Sequence, residues 1–481
     1  MLRNKQLAQY VTRLAFLAGV MLLAGCAVGP KYVRPTAEVP PDYKEAAEWK
    51  TAQPRDEIAK GKWWEIYSDT ELNSLEEQVT LANQDLKAAA ARFEQARAAI
   101  RINRAPLYPS VTANPSVSQN RQSQNQPLVS ATSRINYTIF ELPVDVSYEP
   151  DLWGRVRHSV EAARSEAQAT AADLANVDLS LHAELAADYF QLRGLDSQKQ
   201  LLDSTVVSYQ KALDLTQSRY KGGVASAVDV AQAQTQLETT RAQSQDVEVQ
   251  RTAFEHAIAV LTGKPPSELS VAPMSLSAPP PAIPPALPSD LLERRPDIAA
   301  AERRVQEANA QIGVARAAYF PSITLAGGGG FESAHIGDIL EGPSGFWSLA
   351  GSAAELIFDG GARRGTNEQA RAAFNESVDN YRQTTLTAFQ EVEDNLSALR
   401  VLEGEAQTEQ AAVAAAEHSL ALSNNRYKGG VANYLEVTTA QSAALSDERT
   451  AVDILTRRMT ASVLLVKALG GGWNVSQIPS L

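Results

Sequence analysis

The stretch RYKGGV at residues 219–224 occurs a second time, unchanged, at residues 426–431. Matches on both sides of it keep the same offset of 426 − 219 = 207 residues. Further upstream the offset becomes 304 − 92 = 212 residues, which relates Arg92 to Arg304. A chance match of six residues happens, but a fixed register over so long a span does not. We therefore predict an internal twofold repeat, with two halves of one architecture.

The glycine pair inside the repeated stretch predicts a helical hairpin. Residues 157–220 contain no proline and one glycine, and apolar residues recur there every seven positions, as at Leu181 and Leu202. A seam of this period predicts a long coiled-coil helix. The glycines end that helix, and we expect a return helix from about 227 to 261. A further helix is predicted to start near Trp63 and to end before Pro106, because proline cannot continue a helix.

Between these helices the periodicity changes from helical to two residues. Apolar and polar residues alternate at 111–117 and at 140–148, and the second half repeats the pattern at 323–325 and 347–353. Such alternation predicts strands. Because apolar residues lie on one face and carboxylates on the other, the alternation favours strands of a membrane barrel with a water-filled interior. A soluble hairpin lying on a core shows the same alternation and is the alternative.

The N-terminus predicts export and lipidation. Three basic residues and an apolar core at 14–23 are typical of a secretory signal over residues 1–25. The signal ends in LAGC at 23–26, which resembles the lipobox of bacterial lipoproteins, so Cys26 is the expected acylated N-terminus. The alternative is an ordinary signal followed by an unpaired thiol. Ala27, rather than Asp, follows the cysteine, and by resemblance to sorted lipoproteins this points to the outer membrane.

Six segments follow from the repeat and the composition. The Pro-rich crossover between the repeats is predicted to be a stiff link. In chain order the segments are a signal peptide (1–25), a lipid-anchored strap (26–62), a first repeat of helix, strand pair, long helix and return helix (63–272), a proline-rich crossover (273–288), a second repeat (289–472) and a C-terminal tail (473–481).

Composition and motifs offer no active site. The formal charge is −12, which argues against nucleic acid as a partner. No nucleophile stands with a base and no glycine-rich phosphate loop precedes a helix, so we expect neither catalytic residues nor a cofactor. A secreted hydrolase and a purely structural periplasmic coiled coil are the rival classes. The histidines have no metal-ligand spacing, so no metal site is expected; they are His158, His182, His256, His335 and His418.

Several motifs resemble the TolC-like outer-membrane efflux lipoproteins, which are the outer-membrane factors of tripartite RND pumps. They are VGP at 28–30, the Trp63-Trp64 pair, DLWGR at 151–155, LLERRPDI at 291–298 and AAYFPSI at 317–323. The resemblance implies a homotrimer that works with a periplasmic membrane-fusion adaptor and an inner-membrane RND-type pump. It also implies contact with outer-membrane lipid. An outer-membrane duct for metal-ion efflux or type I-like secretion is the alternative.

The expected fold is an α+β membrane protein. Four strands per chain cannot close a membrane barrel, whose minimum is about eight strands. Two chains would give a barrel that side chains fill, whereas three give about twelve strands and leave a passage. We therefore expect a trimeric twelve-stranded outer-membrane β-barrel, continuous with a long periplasmic α-helical coiled-coil barrel.

Two acids stand at equivalent places inside the return helices. Asp229 and Glu436 each follow their glycine pair closely, and in a trimer they would place about six carboxylates at the narrow end, where acidic rings select cations. The resemblance implies an acidic periplasmic gate on this helix, although Thr439 stands where relatives often have Asp. The alternative is that both acids merely favour a helix N-terminus.

The turns themselves resemble the contact surface that the family offers to its adaptor. Glycine permits close backbone approach at such a surface, and the same residues also make the turn. The expected docking residues are Arg219, Tyr220, Gly222, Gly223, Val224, Arg426, Tyr427, Gly429, Gly430 and Val431.

Overall fold

The computed structural model describes residues 27–46, 61–123, 136–283 and 290–481. The predicted signal peptide, Cys26 and part of the proline-rich crossover lie outside the described residues.

Long helices form most of the described chain. The predicted long helix and its return helix are both present, at 67 and 35 residues, and the second half contains helices of the same two lengths. At about 1.5 Å per residue, the longer helices extend about 100 Å. In chain order the helices are α1 (Thr70–Ala82), α2 (Gln84–Arg104), α3 (Arg155–Lys221), α4 (Ala227–Leu261), α5 (Leu291–Arg294), α6 (Pro296–Ala317), α7 (Ala362–Lys428) and α8 (Tyr434–Ala468).

The prediction of one unbroken helix before Pro106 is wrong. Asn83 has an extended ψ of 131°, and this ends α1 and begins α2. Its side-chain oxygen accepts a hydrogen bond from the Leu86 amide at 3.0 Å, while its amide nitrogen donates to the Leu261 carbonyl at 2.9 Å. Asn83 therefore caps α2 and also satisfies a free carbonyl at the end of α4, which stabilises the break.

One antiparallel sheet contains all of the described strands, which are β1 (Ser110–Ala113), β2 (Ser116–Arg121), β3 (Asn136–Tyr148), β4 (Ser322–Ser333) and β5 (Gly345–Ala354). The order is β1–β3–β4–β5, and β2 also pairs with β3. β1 and β2 therefore form one interrupted row, broken at Pro115, which cannot donate to a ladder. The sheet has four rows of strand, as the alternation predicts.

The register places apolar residues of neighbouring strands on one face. Val144 lies opposite Gly329, and Gly329 lies opposite Trp347. Residues that pair directly share a face, and Trp347 is 78% exposed on it. Asp145 pairs with Gly328 on the other face. The predicted division into an apolar and a polar side is confirmed.

The main core lies where α1, α3, α7 and α8 meet, and it includes Trp63, Leu72, Leu185 and Val463. Burial of such side chains stabilises the fold by about 1.5–3 kcal/mol each. Among the described helices, none has an apolar stretch long enough to cross a bilayer.

Residues 27–46 form a strap along the helices. Near its start, the Val28 amide donates to the Trp153 carbonyl at 3.1 Å, and the Asn309 side chain donates to the Pro30 carbonyl at 3.2 Å. Further along, the Lys44 amide donates to the Glu393 carboxylate at 2.7 Å. The strap therefore begins beside the strand ends and reaches the middle of α7.

Candidate functional site

The two hairpin turns have the same backbone conformation. In the first, Gly223 has a φ of +75°, the Val224 amide donates to the Arg219 carbonyl at 2.9 Å, and the Gly223 amide donates to the Tyr220 carbonyl at 2.9 Å. These two bonds define a Schellman motif. Gly430 also has a φ of +75°, so the left-handed position explains why glycine occupies both turns.

Both turns expose apolar side chains at their ends. Val224 is 68% exposed and Val431 is 73% exposed. The adjoining Tyr220 is half exposed. Exposed apolar residues beside bare glycine backbone form a surface on which another protein can pack. The structure thus places the predicted docking residues together at the ends of the two hairpins.

The equivalent tyrosines of the two turns differ in their surroundings. Tyr427 is only 6% exposed, and its ring meets that of Tyr434 edge-on at 5.2 Å. The Arg219 guanidinium lies 4.8 Å from the centre of the Tyr427 ring, and its Nη1 donates to the Lys428 carbonyl at 3.1 Å. Arg219 therefore links one hairpin tip to the other through a cation–π contact and a hydrogen bond. Sequence reasoning missed this link.

Both predicted gate acids occupy the third position of a return helix. Asp229 forms a capping box with Ser226, in which the Ser226 amide donates to Oδ2 at 2.9 Å. Glu436 lies near Arg426, with its Oε2 3.4 Å from Nη1, and its amide donates to the Asn433 side chain. Each acid therefore stabilises the start of its helix. Its negative charge can still attract cations from the surrounding solution.

Thr439 cannot supply the charge that an acid would supply at its position. Its hydroxyl donates to the Leu435 carbonyl at 2.9 Å, one turn back in the same helix. The side chain is exposed. Position 439 therefore adds no charge to the predicted gate acids Asp229 and Glu436.

A buried ionic network holds the segment that follows α4 against α3 and α4. Asp196 receives hydrogen bonds from Arg193 at 3.1 Å and from Arg251 at 2.7 Å. The same two arginines donate to the carbonyls of Ala272 and Val271. Because each guanidinium meets both a carboxylate and a backbone carbonyl, the network fixes the path of the chain as it leaves α4.

A second buried network joins α1 to α3. His182 Nδ1 lies 2.6 Å from Glu76, its Nε2 lies 3.4 Å from Asp178, and Trp64 stacks on the imidazole at 4.3 Å. Burial lowers the pKa of His182, but hydrogen bonds to Asp178 and Glu76 outweigh it and raise the pKa to about 9. Burial raises the pKa of Glu76 to about 7, although its hydrogen bond to His182 acts against the shift. The raised pKa favours the charged form of His182 in this structural contact, which its isolated position in the sequence did not reveal.

Long helical hairpins joined to a sheet with one exposed apolar face are the architecture of the outer-membrane channel subunits to which this chain is similar. A family model described as outer membrane efflux protein matches residues 75–264 and 287–471. The chain belongs to this family, which confirms the resemblance drawn from its motifs.

Similar proteins cover almost the whole chain. The toluene efflux pump outer membrane protein TtgF of Pseudomonas putida is 34% identical, over 95% of this chain and 96% of that protein. Outer membrane protein OprJ of Pseudomonas aeruginosa is 33% identical over 94% of each. The solved structure of the outer-membrane channel OprN has a TM-score of 0.87 at 30% identity, covering 93% of this chain and 100% of that one. All three are named as proteins of the outer membrane, TtgF as part of an efflux pump and OprN as a channel.

Proposed function

We propose that this chain is one subunit of the exit duct of a tripartite efflux system. The duct passes small molecules or drugs from an inner-membrane RND-type pump and a periplasmic membrane-fusion adaptor to the exterior. The observation that supports this best is a sheet with an exposed apolar face, continuous with hairpins about 100 Å long. A sheet of this kind suits lipid contact, and helices of this length suit a periplasmic conduit.

The sheet supports a trimer because its outer edges are open. In the described part of the chain, β1 and β2 pair only with β3, and β5 pairs only with β4. An open edge is not tolerated in lipid, and closed membrane barrels need about eight strands or more. Three copies would close about twelve rows into a barrel with a passage. The helices would then form a periplasmic barrel below it.

Acylation of Cys26 fits the path of the strap. The strap begins beside the strand ends, where Val28 bonds to Trp153, only two residues after the cysteine. An acyl chain at that point would enter the membrane that the sheet crosses. The chain would therefore be held by both its lipid and its strands.

The hairpin tips are the proposed contact with the adaptor. Val224, Val431 and Tyr220 are exposed there, and the glycine turns leave backbone accessible. The remaining proposed docking residues are Arg219, Gly222, Gly223, Arg426, Gly429 and Gly430. Tyr427 was also expected to dock, but its side chain is only 6% exposed and packs inside the tip. Asp229 and Glu436, at the starts of the return helices, are the proposed periplasmic gate.

Native mass spectrometry and conductance together test the proposal. We expect the detergent-extracted protein to have the mass of three chains and to conduct ions in a planar bilayer. Dissociation by heat should abolish conductance, which provides the control. A monomer that conducts as well as the extracted protein would contradict the proposed barrel.

A further inference from the structure

Helix α2 carries three arginines on one face near the strand end, and we name them the arginine stripe (Arg97, Arg101 and Arg104). Their spacing of four and three residues aligns them along the helix. Arg97 pairs with Glu94 at 2.7 Å. Arg101 and Arg104 are both exposed, and within the described residues neither forms an ion pair. Two uncompensated cations therefore lie at the end of α2 in a chain whose net charge is −12.

The strap indicates which way the stripe faces. At the offset of 212 residues, Arg97 corresponds to Asn309 and Arg101 corresponds to Gly313. Asn309 donates to the Pro30 carbonyl at 3.2 Å, and Gly313 lies against Gly29 of the strap. The strap thus covers on α6 the face that corresponds to the stripe on α2.

The position on α6 that corresponds to the stripe also lies near the start of the strap. Gly29, which touches α6 opposite Gly313, stands three residues after Cys26. Arg104 is followed after six residues by Ser110, where β1 begins. Tyr108 lies between them and is 60% exposed, and tyrosine is enriched where protein meets lipid headgroups.

We propose that Arg101 and Arg104 bind the phosphate of an anionic phospholipid in the periplasmic leaflet of the outer membrane. The inference rests on the proposed membrane placement of the sheet and names a lipid partner for it. Guanidinium groups bind phosphate through paired hydrogen bonds. Because the chain as a whole is acidic, its overall charge repels such lipids, and attraction must come from a local group of cations.

The alternative explanation is that both arginines only stabilise the C-terminal end of α2. Basic residues in the last turn do stabilise a helix, and Arg101 and Arg104 lie in that turn. This explanation predicts a loss of stability on substitution, but no preference for one lipid headgroup over another. Headgroup selectivity therefore separates the two roles.

The test uses the full-length trimer in detergent, titrated with phosphatidylglycerol or with phosphatidylcholine of the same acyl chains. Native mass spectrometry measures the bound lipid. We expect phosphatidylglycerol to bind more tightly, and R101Q/R104Q to weaken it about 25-fold without affecting phosphatidylcholine. This is about fivefold per arginine, or about 1 kcal/mol each. R101K/R104K should retain part of the binding, because it keeps both charges but loses the paired hydrogen bonds.

Arg92 provides the matched control, because it lies nine residues before Arg101 on the opposite face of α2 and is also exposed. R92Q should bind phosphatidylglycerol as the unchanged protein does. Equal binding of the two lipids, an R101Q/R104Q variant that binds normally, or an equal loss in R92Q would overturn the proposal. So would displacement of the lipid by inorganic phosphate at the same concentration.

Two further outcomes distinguish this inference from the proposed function. If R101Q/R104Q separates the trimer into single chains, the stripe belongs to a subunit contact and the lipid assignment fails. If the trimer forms and conducts but shows no headgroup preference, only the lipid inference is overturned. A chain that neither trimerises nor conducts would overturn both.

Discussion

Removal of charge from the two proposed gate acids should make the channel less selective for cations. The change is Asp229→Asn together with Glu436→Gln, which removes about six formal charges from a trimer and keeps the side-chain shapes. The amide introduced by Asp229→Asn would still offer an oxygen to the Ser226 amide, which now donates to Asp229 at 2.9 Å. The capping interaction should therefore survive, and the effect on selectivity can be assigned to charge.

The structure sets the size of both effects. Glu436 and Arg426 are 3.4 Å apart with side chains 43% and 60% exposed, and exposed pairs contribute about 0–1 kcal/mol. Folding should thus be almost unchanged. A cation in contact with one carboxylate gains about 1 kcal/mol in water at about 4 Å. A divalent cation gains about twice this, about 2 kcal/mol for each carboxylate that it contacts, so the loss of one such contact should weaken its block by about 30-fold.

Single-channel recording in a planar bilayer measures both quantities. Reversal potentials in a salt gradient give the cation preference, and divalent cations added on the periplasmic side give the block. Asp229→Ala is the control for the capping box, because it removes the bond from the Ser226 amide together with the charge, while the Ser226 hydroxyl still caps the helix. Loss of that one hydrogen bond should cost about 0.5–1.5 kcal/mol of stability. Unchanged selectivity and unchanged block in the double variant would show that these acids serve only their helices and that the constriction lies elsewhere.

Three further predictions concern the anchor, the sheet and the buried histidine. The intact mass of the mature protein should show acyl groups on an N-terminus at Cys26, and an unmodified thiol there would contradict lipidation. The Cys26→Ser variant with a cleavable signal should still trimerise. Leu142→Arg on the apolar face should cost about 2–4 kcal/mol at the bilayer midplane, and Asp145→Arg on the polar face should be tolerated, as urea unfolding in liposomes can measure. His182 has a folded pKa of about 9, above the ordinary 6.5. The stability that its protonated form adds to the fold is therefore complete below about pH 6.5 and is lost as the pH rises through about 9. The free energy of unfolding should fall by on the order of 3 kcal/mol in that window. His182→Gln should make the melting temperature less dependent on pH.

Local signals made the helices and hairpins predictable. The return helix was expected at 227–261 and lies at Ala227–Leu261, because a serine cap and a glycine turn mark its two ends within a few residues. The sheet faces were predictable for a similar reason, since two-residue alternation depends only on each strand. Patterns of this kind require no knowledge of distant parts of the chain.

Features that depend on distant partners could not be predicted. The break at Asn83 is stabilised by the carbonyl of Leu261, which lies in another helix. The pKa of His182 is raised by Asp178, four residues away, and by Glu76, which is 106 residues away in sequence and which no local pattern reveals. Neither residue has a local pattern that distinguishes it from an ordinary surface residue.

The two hairpin tips show both cases: the local sequence determines the turn, whereas residues outside the hexapeptide determine whether its tyrosine is buried. Their identical hexapeptides give identical turns, because the left-handed glycine determines the turn locally. Their tyrosines nevertheless differ, since at the offset of 207 residues Tyr434 stands where the first half has Ala227. Tyr434 covers Tyr427, whereas Ala227 leaves Tyr220 half exposed. Tyr434, which lies outside the repeated stretch, and Arg219 of the other tip therefore pack the second tip, whereas the first tip presents the aromatic surface of Tyr220 to a partner.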